Sequence, residues 1–313
     1  MTLIQLQYLI ALDTHQHFGI AAEHCFVTQP TLSMQIQKLE KELGAILFDR
    51  GKQPVVPTEV GRRVIEQARI VLREAARVGD ILQDASGEIS GVFKIGIIPT
   101  VAPYLLPLFL QNFVKKYPAI SLQIEELQTH QIIDRIRHDR LDAGILATPL
   151  HNPSITEEPL FYEPFVAYVS RNHELYNKKK ISAEDLDLSD VWLLNEGHCF
   201  RDQVVQLCKK ALKTNEENDR AVTFESGNLE TLKKLVEQNF GLTLLPYLAA
   251  RELEETKQGD MLRKFLKPVP KREISIVYER SRLKKQVIDA LLKEIQSAVP
   301  KKLLKDDDGA SNL

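Results

Sequence analysis

The stretch Val27-Thr28-Gln29-Pro30-Thr31-Leu32-Ser33-Met34-Gln35-Ile36-Gln37-Lys38-Leu39 decides how the N-terminal part of the chain folds. Thr28 is a suitable helix N-cap, and Pro30 is tolerated in a first turn, where its missing N–H costs nothing. Leu32, Ile36, Leu39 and Leu43 then recur at helical spacing and predict a buried stripe. The opposite face carries Gln29, Pro30, Ser33, Met34, Gln37 and Lys38. Small polar and amide side chains at the start of a helix are what a DNA major groove accepts. The same pattern also suits a solvated helix in a small bundle.

Two shorter helical patterns precede this one, Leu6-Leu9-Ile10-Leu12 and Phe18-Ala21-Ala22-Cys25. After it, Phe48 to Pro57 reads as a short two-stranded wing whose tip residues, Arg50 and Lys52, would meet phosphates. Bulk charge gives no support for DNA. Residues 1–57 hold Lys38, Lys41, Arg50 and Lys52 against Asp13, Glu23, Glu40, Glu42 and Asp49. A DNA-binding reading therefore rests on motif geometry.

From Thr58 to about Ile89 one long helical pattern runs along Val60, Val64, Ala68, Val71, Ala75, Val78 and Leu82. So narrow an apolar stripe predicts pairing with a second copy, the alternative being packing on the rest of the chain. Ser86 to Gly91 breaks the pattern as a hinge. From Val92 onward strands and helices alternate, which predicts an α/β region with largely parallel sheets. Strands are expected at 93–98, 121–126, 143–147, 165–170, 191–194, 222–225, 241–245 and 274–278. Helices are expected at 104–116, 131–138, 200–212, 228–239 and 284–299. A region of this size suits two similar subdomains with a cleft between them, its ligand loops at Pro99-Thr100 and Gln128-Thr129-His130. The tail, 301–313, is expected to be disordered.

Three cysteines occur in 313 residues, and two of them, Cys199 and Cys208, lie close together. In Gly197-His198-Cys199-Phe200-Arg201-Asp202-Gln203 the thiol has His198 and Arg201 beside it, cations that would favour thiolate. The helical pattern after Cys199 places that thiol at a helix N-terminus and Cys208 about 13 Å along the same helix. A disulfide needs Cα atoms closer than about 7 Å, so joining the two would unwind the helix. The bland alternative is that both are buried apolar cysteines, which is how Cys25 reads. No apolar run approaches bilayer length, and the N-terminus lacks the basic start and apolar core of a signal peptide. The expectation is a cytoplasmic protein, a compartment in which a working cysteine pair is transient.

Ala21-Ala22 with Thr28-Gln29-Pro30-Thr31-Leu32-Ser33, and Lys38-Leu39-Glu40 running into Glu42-Leu43-Gly44, resemble LysR-type transcriptional regulators. Ile98-Pro99-Thr100-Val101, Gln128-Thr129-His130-Gln131 and Gly197-His198-Cys199 with Arg201-Asp202-Gln203 and Cys208 resemble the peroxide-sensing members of that family. The resemblance implies a winged helix-turn-helix domain (1–58), all-α with a short β wing. A linker and dimerisation helix with hinge would follow (59–90). A periplasmic-binding-protein-like α/β regulatory region of two subdomains would come next (91–300), and a disordered tail last (301–313). It implies that Cys199 is the peroxidatic and Cys208 the resolving cysteine, with Thr100, Thr129, His198 and Arg201 around the peroxide. It places Gln29, Pro30, Thr31, Ser33, Gln37, Arg50, Lys52 and Thr58 at DNA. The implied partners are promoter DNA, hydrogen peroxide, RNA polymerase, further copies of the chain as a homotetramer, and a thiol reductant such as glutaredoxin or thioredoxin. No cofactor, metal or membrane is implied, and no enzymatic activity. Two alternatives stand beside this reading. One is a family member whose cleft binds a small metabolite; the other is a thiol peroxidase, for which a helix-turn-helix and a long dimer helix have no use.

Overall fold

The computed structural model describes residues 1–86, 90–209, 226–279, 284–306 and 311–312. They belong to two compact units, Met1–Glu88 and Ile89–Leu313. In the first unit α1 (Leu3–His15), α2 (Phe18–His24) and α3 (Gln29–Leu43) are followed by β1 (Phe48–Asp49), β2 (Val56–Pro57) and α4 (Glu59–Ser86). Thr28 caps α3 as expected, its Oγ1 accepting the Thr31 N–H, with Pro30 in the first turn. Leu32, Ile36 and Leu39 are fully buried with Leu9, Leu12 and Phe48. Leu43 departs from the expected stripe: it is 40% exposed, because Gly44 at φ 66° turns the chain away directly after it. β1 and β2 pair antiparallel and form the wing.

Helix α4 is about 42 Å long at 1.5 Å per residue. Within one chain the expected stripe is only partly covered. Ile65 and Ala68 are buried against the helix-turn-helix core, whereas Val60 and Val78 are exposed. Its beginning is tightly fixed. Thr58 Oγ1 accepts the Gly61 N–H at 2.9 Å and donates to the Ile46 carbonyl at 2.9 Å, so this hydroxyl caps a helix. Gly61 has no room for a side chain, since a Cβ there would lie 2.0 Å from the Leu47 carbonyl oxygen.

The second unit runs β3 (Gly91–Ile97), α5 (Ala102–Lys116), β4 (Ile120–Glu126), α6 (Thr129–Arg137), β5 (Ala143–Thr148), β6 (Ile155–Val169) and β7 (Lys180–Ile181). It continues with α7 (Cys199–Lys209), α8 (Leu229–Glu237), β8 (Leu242–Pro246), α9 (Tyr247–Glu254), β9 (Leu262–Phe265), β10 (Pro270–Glu279), α10 (Lys285–Ala298) and β11 (Ser311–Asn312). Among the described residues these strands form one sheet in the order β4-β3-β5-β10-β6-β9-β7, with β8 also on β6 and β11 on β10.

The expectation of largely parallel pairing is corrected. β3 is parallel to β4 and β5, but β10 runs antiparallel to both β5 and β6, and β6 antiparallel to β8 and β9. The physical reason is the length of β6, of which the sequence pattern showed only the second half. Residues 155–164 lie along β10, and residues 165–169 continue between β8 and β9. One strand thus serves both α/β halves. The expected strand at 191–194 is reduced to single bridges at Val191 and Leu194, and the one at 222–225 lies outside the described residues.

The tail is a second correction. Lys301–Leu303 forms a 3-10 turn, Leu303 is buried, Asp306 pairs with Lys271, and Ser311–Asn312 lies parallel to Pro270–Lys271. A tail of lysines, aspartates and three scattered leucines reads as unstructured by composition, yet Leu303 has a core site waiting. Among the described residues no helix is long and apolar enough to cross a membrane.

Alanine normally stabilises a helix relative to glycine by about 1 kcal/mol. At position 61 the sign is expected to reverse: Gly61→Ala should lower the urea midpoint, and Ile36→Ala should cost about 2–5 kcal/mol. A Gly61→Ala protein as stable as the parent would contradict the close approach to Leu47.

Candidate thiol pocket and nucleic-acid interface

Gly197, at φ 91°, makes the turn that delivers His198 and Cys199 to the start of α7. A Cβ on Gly197 would lie 2.6 Å from Gln128 Oε1, so the turn and the α6 entry are pressed together. The result is a tight pocket lined by Ile98, Pro99, Thr100, Gln128, Thr129, His198, Cys199 and Phe200. Cys199 is half-buried there and unbonded to sulfur. Thr100, Thr129 and His198 are therefore brought together with Cys199 as the sequence led one to expect.

Arg201 is not among them. Its Nη1 donates to the Leu194 carbonyl at 2.9 Å, and it does not line the pocket. His198 does not supply the expected cation either. It is buried, and desolvation holds its imidazole below the ordinary value of 6.5, so the ring is neutral at neutral pH.

The positive charge comes instead from a residue that the motif reading missed. Arg272 on β10 has no exposed surface; its Nη1 donates to Thr100 Oγ1 at 2.9 Å and its Nη2 to the Thr100 carbonyl at 3.1 Å. Glu163 on β6 takes two more of its N–H groups, at 2.7 and 3.0 Å, and accepts the Leu248 N–H at 2.8 Å. The guanidinium also lies 5.1 Å from the centre of the Phe200 ring. Arg272 stands between Lys271 and Glu273 in the charged first half of β10, so no local pattern marked it out. Because Thr100 Oγ1 already accepts from Arg272, its own proton remains available for donation into the pocket. Thr129 Oγ1 is buried with no hydrogen-bond partner among the described residues. Two hydroxyls thus stand ready beside one thiol.

Cys208 lies near the other end of α7 and is 1% exposed, packed in the core with Phe200, Val204 and Leu207. Burial, with a smaller contribution from Asp187, pushes its thiol up to about 11. With α7 intact the two Cα atoms stay about 13 Å apart along the axis, beyond the roughly 7 Å that a disulfide allows.

On the first unit Gln29, Pro30, Gln37 and Lys38 are exposed at one side of α3, and Thr31 and Ser33 are half-buried. Arg50 is held by Glu40 at 2.8 Å, and Lys52 lies 3.7 Å from Asp49. Both wing cations therefore have carboxylate partners. Thr58, also expected at DNA, bonds the start of α4 through its hydroxyl.

Residues 3–62 match the bacterial regulatory helix-turn-helix protein family of lysR type, and residues 86–300 match the LysR substrate binding domain. A hydrogen peroxide-inducible genes activator of Dickeya chrysanthemi is 38% identical over 278 residues, 89% of each chain. A full-length OxyR of Pseudomonas aeruginosa carrying a cysteine-to-aspartate substitution superposes with a TM-score of 0.77 at 35% identity, over 96% of this chain and 99% of that one. A hydrogen-peroxide-bound cysteine mutant of Corynebacterium glutamicum OxyR gives 0.61 at 28% identity, over 95% and 92%. With both of its parts matched in order, the chain belongs to the LysR family of bacterial helix-turn-helix regulatory proteins.

Proposed function

We propose that this regulator senses hydrogen peroxide through Cys199, with Cys208 as its resolving thiol, and controls promoters of oxidative-stress defence from the cytoplasm. The observation that carries the proposal is the pocket itself: a half-buried thiol at a helix start, faced by the open hydroxyl of Thr129 and the donor hydroxyl of Thr100. The relatives named for peroxide responses support it.

In the proposed step the Cys199 thiolate attacks one peroxide oxygen and the O–O bond breaks. Cys199 becomes a sulfenic acid, and the departing hydroxide takes a proton to leave as water. Thr100 and Thr129 orient the peroxide, and the Arg272 dipole path through Thr100 favours charge on the leaving oxygen. Cys208 sulfur then displaces the sulfenic hydroxyl as water and closes the disulfide. Closure requires α7 to open, so Phe200, Val204 and Leu207 leave their sites. That changes the surface offered to a neighbouring copy and so the spacing of DNA readers. Gln29, Pro30 and Ser33 read base edges, while exposed Val60 and Val78 on α4 suit pairing with a second copy in a dimer of dimers. RNA polymerase is the downstream partner, and a glutaredoxin- or thioredoxin-type thiol resets the pair.

Peroxide titration with tryptic mass mapping tests the thiol chemistry. Cys199→Ser should abolish oxidation, and Cys208→Ser should stop at a dimedone-reactive Cys199. Thr129→Val should slow Cys199 oxidation by about 100–1,000-fold without lowering the thermal midpoint. An unchanged rate removes Thr129 from the mechanism.

Native alkylation gives a second check. With its thiol near 11, Cys208 should resist iodoacetamide at pH 8 in reduced protein and react once the chain is unfolded. For His198 the sign runs toward acid. The unfolded imidazole takes its proton first as pH falls below 6.5, so stability should decline there, and His198→Asn should flatten that decline. For DNA, Gln29→Ala should cost about 1–3 kcal/mol on specific sites and little on random sequence.

A further inference from the structure

Successive residues of a strand point to opposite faces, so Lys271 is directed away from the thiol pocket that Arg272 enters. On that far side lies a cavity of about 320 Å³. Its walls are aromatic and apolar, with Tyr162 and Phe165 from β6, Tyr247 from α9, Phe265 from β9 and Leu303 from the C-terminal turn. Six lysines stand around it: Lys180, Lys264, Lys267, Lys271, Lys302 and Lys305. Neither the peroxide chemistry nor DNA reading uses any of them.

Among the described residues their charges are poorly balanced. Lys271, whose side chain is 6% exposed, pairs with Asp306, and Lys264 lies 3.5 Å from Glu254. Lys302 sits 4.0 Å from the centre of the Tyr247 ring. Lys180, Lys267 and Lys305 have no carboxylate at ion-pair distance among the described residues. Ammonium groups set around apolar walls concentrate positive potential in the space between them. A concave, mostly apolar cavity with a few convergent polar groups is the form of a small-molecule site.

We infer that this cavity binds a small organic anion, a carboxylate, sulfonate or phosphate borne on a flat apolar body. The body lies among Tyr162, Phe165, Tyr247 and Phe265, and the anionic head reaches the buried Lys271 ammonium. The chain already places a carboxylate at that ammonium. Asp306 is 48% exposed and belongs to the C-terminal segment, so a ligand head competes with a surface side chain from outside the strand core. A polyanion such as DNA would meet the exposed lysines and leave the aromatic walls and Lys271 unused.

Calorimetric titration of the reduced full-length protein with 2-naphthoate, 2-naphthylmethanol and inorganic phosphate tests the site. Naphthoate is expected to bind one per chain, at least about tenfold tighter than the neutral alcohol, with phosphate alone not saturating over the same range. Lys267→Gln combined with Lys305→Gln should weaken naphthoate about tenfold, and Asp306→Asn should tighten it about threefold. Lys267 and Lys305 are exposed and unpaired, so that double variant should keep the thermal midpoint without ligand, whereas Asp306→Asn leaves the buried Lys271 ammonium without its carboxylate and should lower it until naphthoate is added. Equal affinity for acid and alcohol, or naphthoate binding indifferent to the lysine pair, overturns the anion site. An Asp306→Asn protein that binds no tighter overturns the competition at Lys271. Because the readout is binding by reduced protein without peroxide, its failure is distinct from failure of the sensing chemistry.

Discussion

A guanidinium with no exposed surface is tolerable only when its N–H groups find acceptors, and Arg272 meets that condition with residues from two other segments. Glu163 binds it from β6, and both oxygens of Thr100 bind it from the turn before α5. Removing Glu163 would leave an uncompensated buried charge, a loss of about 3–5 kcal/mol. This one cluster therefore fixes β10, β6 and the Thr100 turn to each other. The thiol pocket is assembled on that fixed triangle, with Phe200 packed on Phe165 at a ring distance of 5.0 Å and lying over the guanidinium.

The helix-turn-helix was legible because each of its signals is local. A cap at Thr28, a proline in the first turn and the Leu32-Ile36-Leu39 spacing all act within a few residues. The central strands were legible as strands but not in their direction. Parallel and antiparallel neighbours present the same apolar alternation, and direction is set by connections such as the long β6, whose first half is too polar to stand out. The pocket was half legible. Thr100, Thr129, His198 and Cys199 sit in turns that the motifs mark, whereas Arg272 and Glu163 are brought in by pairing across more than a hundred residues. Arg201 shows the complementary limit: nearness in sequence to Cys199 does not say which groups a side chain bonds, and here it bonds the Leu194 carbonyl.

Burial also changes the character of residues that sequence treats as fixed. His198 and Cys208 are a titratable base and a nucleophile by composition. In the folded chain desolvation keeps the first uncharged and the second protonated. The reduced state is thus quiet at one end of α7 and open to reaction only at the other.

The packing of α7 has a further consequence, for reduction potential. On the proposed chemistry the oxidised form forfeits core sites held by Val204 and Leu207, each burial worth about 1.5–3 kcal/mol. Before any of that is regained in a new arrangement, a loss of about 3–6 kcal/mol raises the potential of the couple by about 65–130 mV, at 30 mV per 1.4 kcal/mol. The apolar side chains of α7, which touch no oxidant, would then set how readily a cellular thiol returns the protein to its resting state.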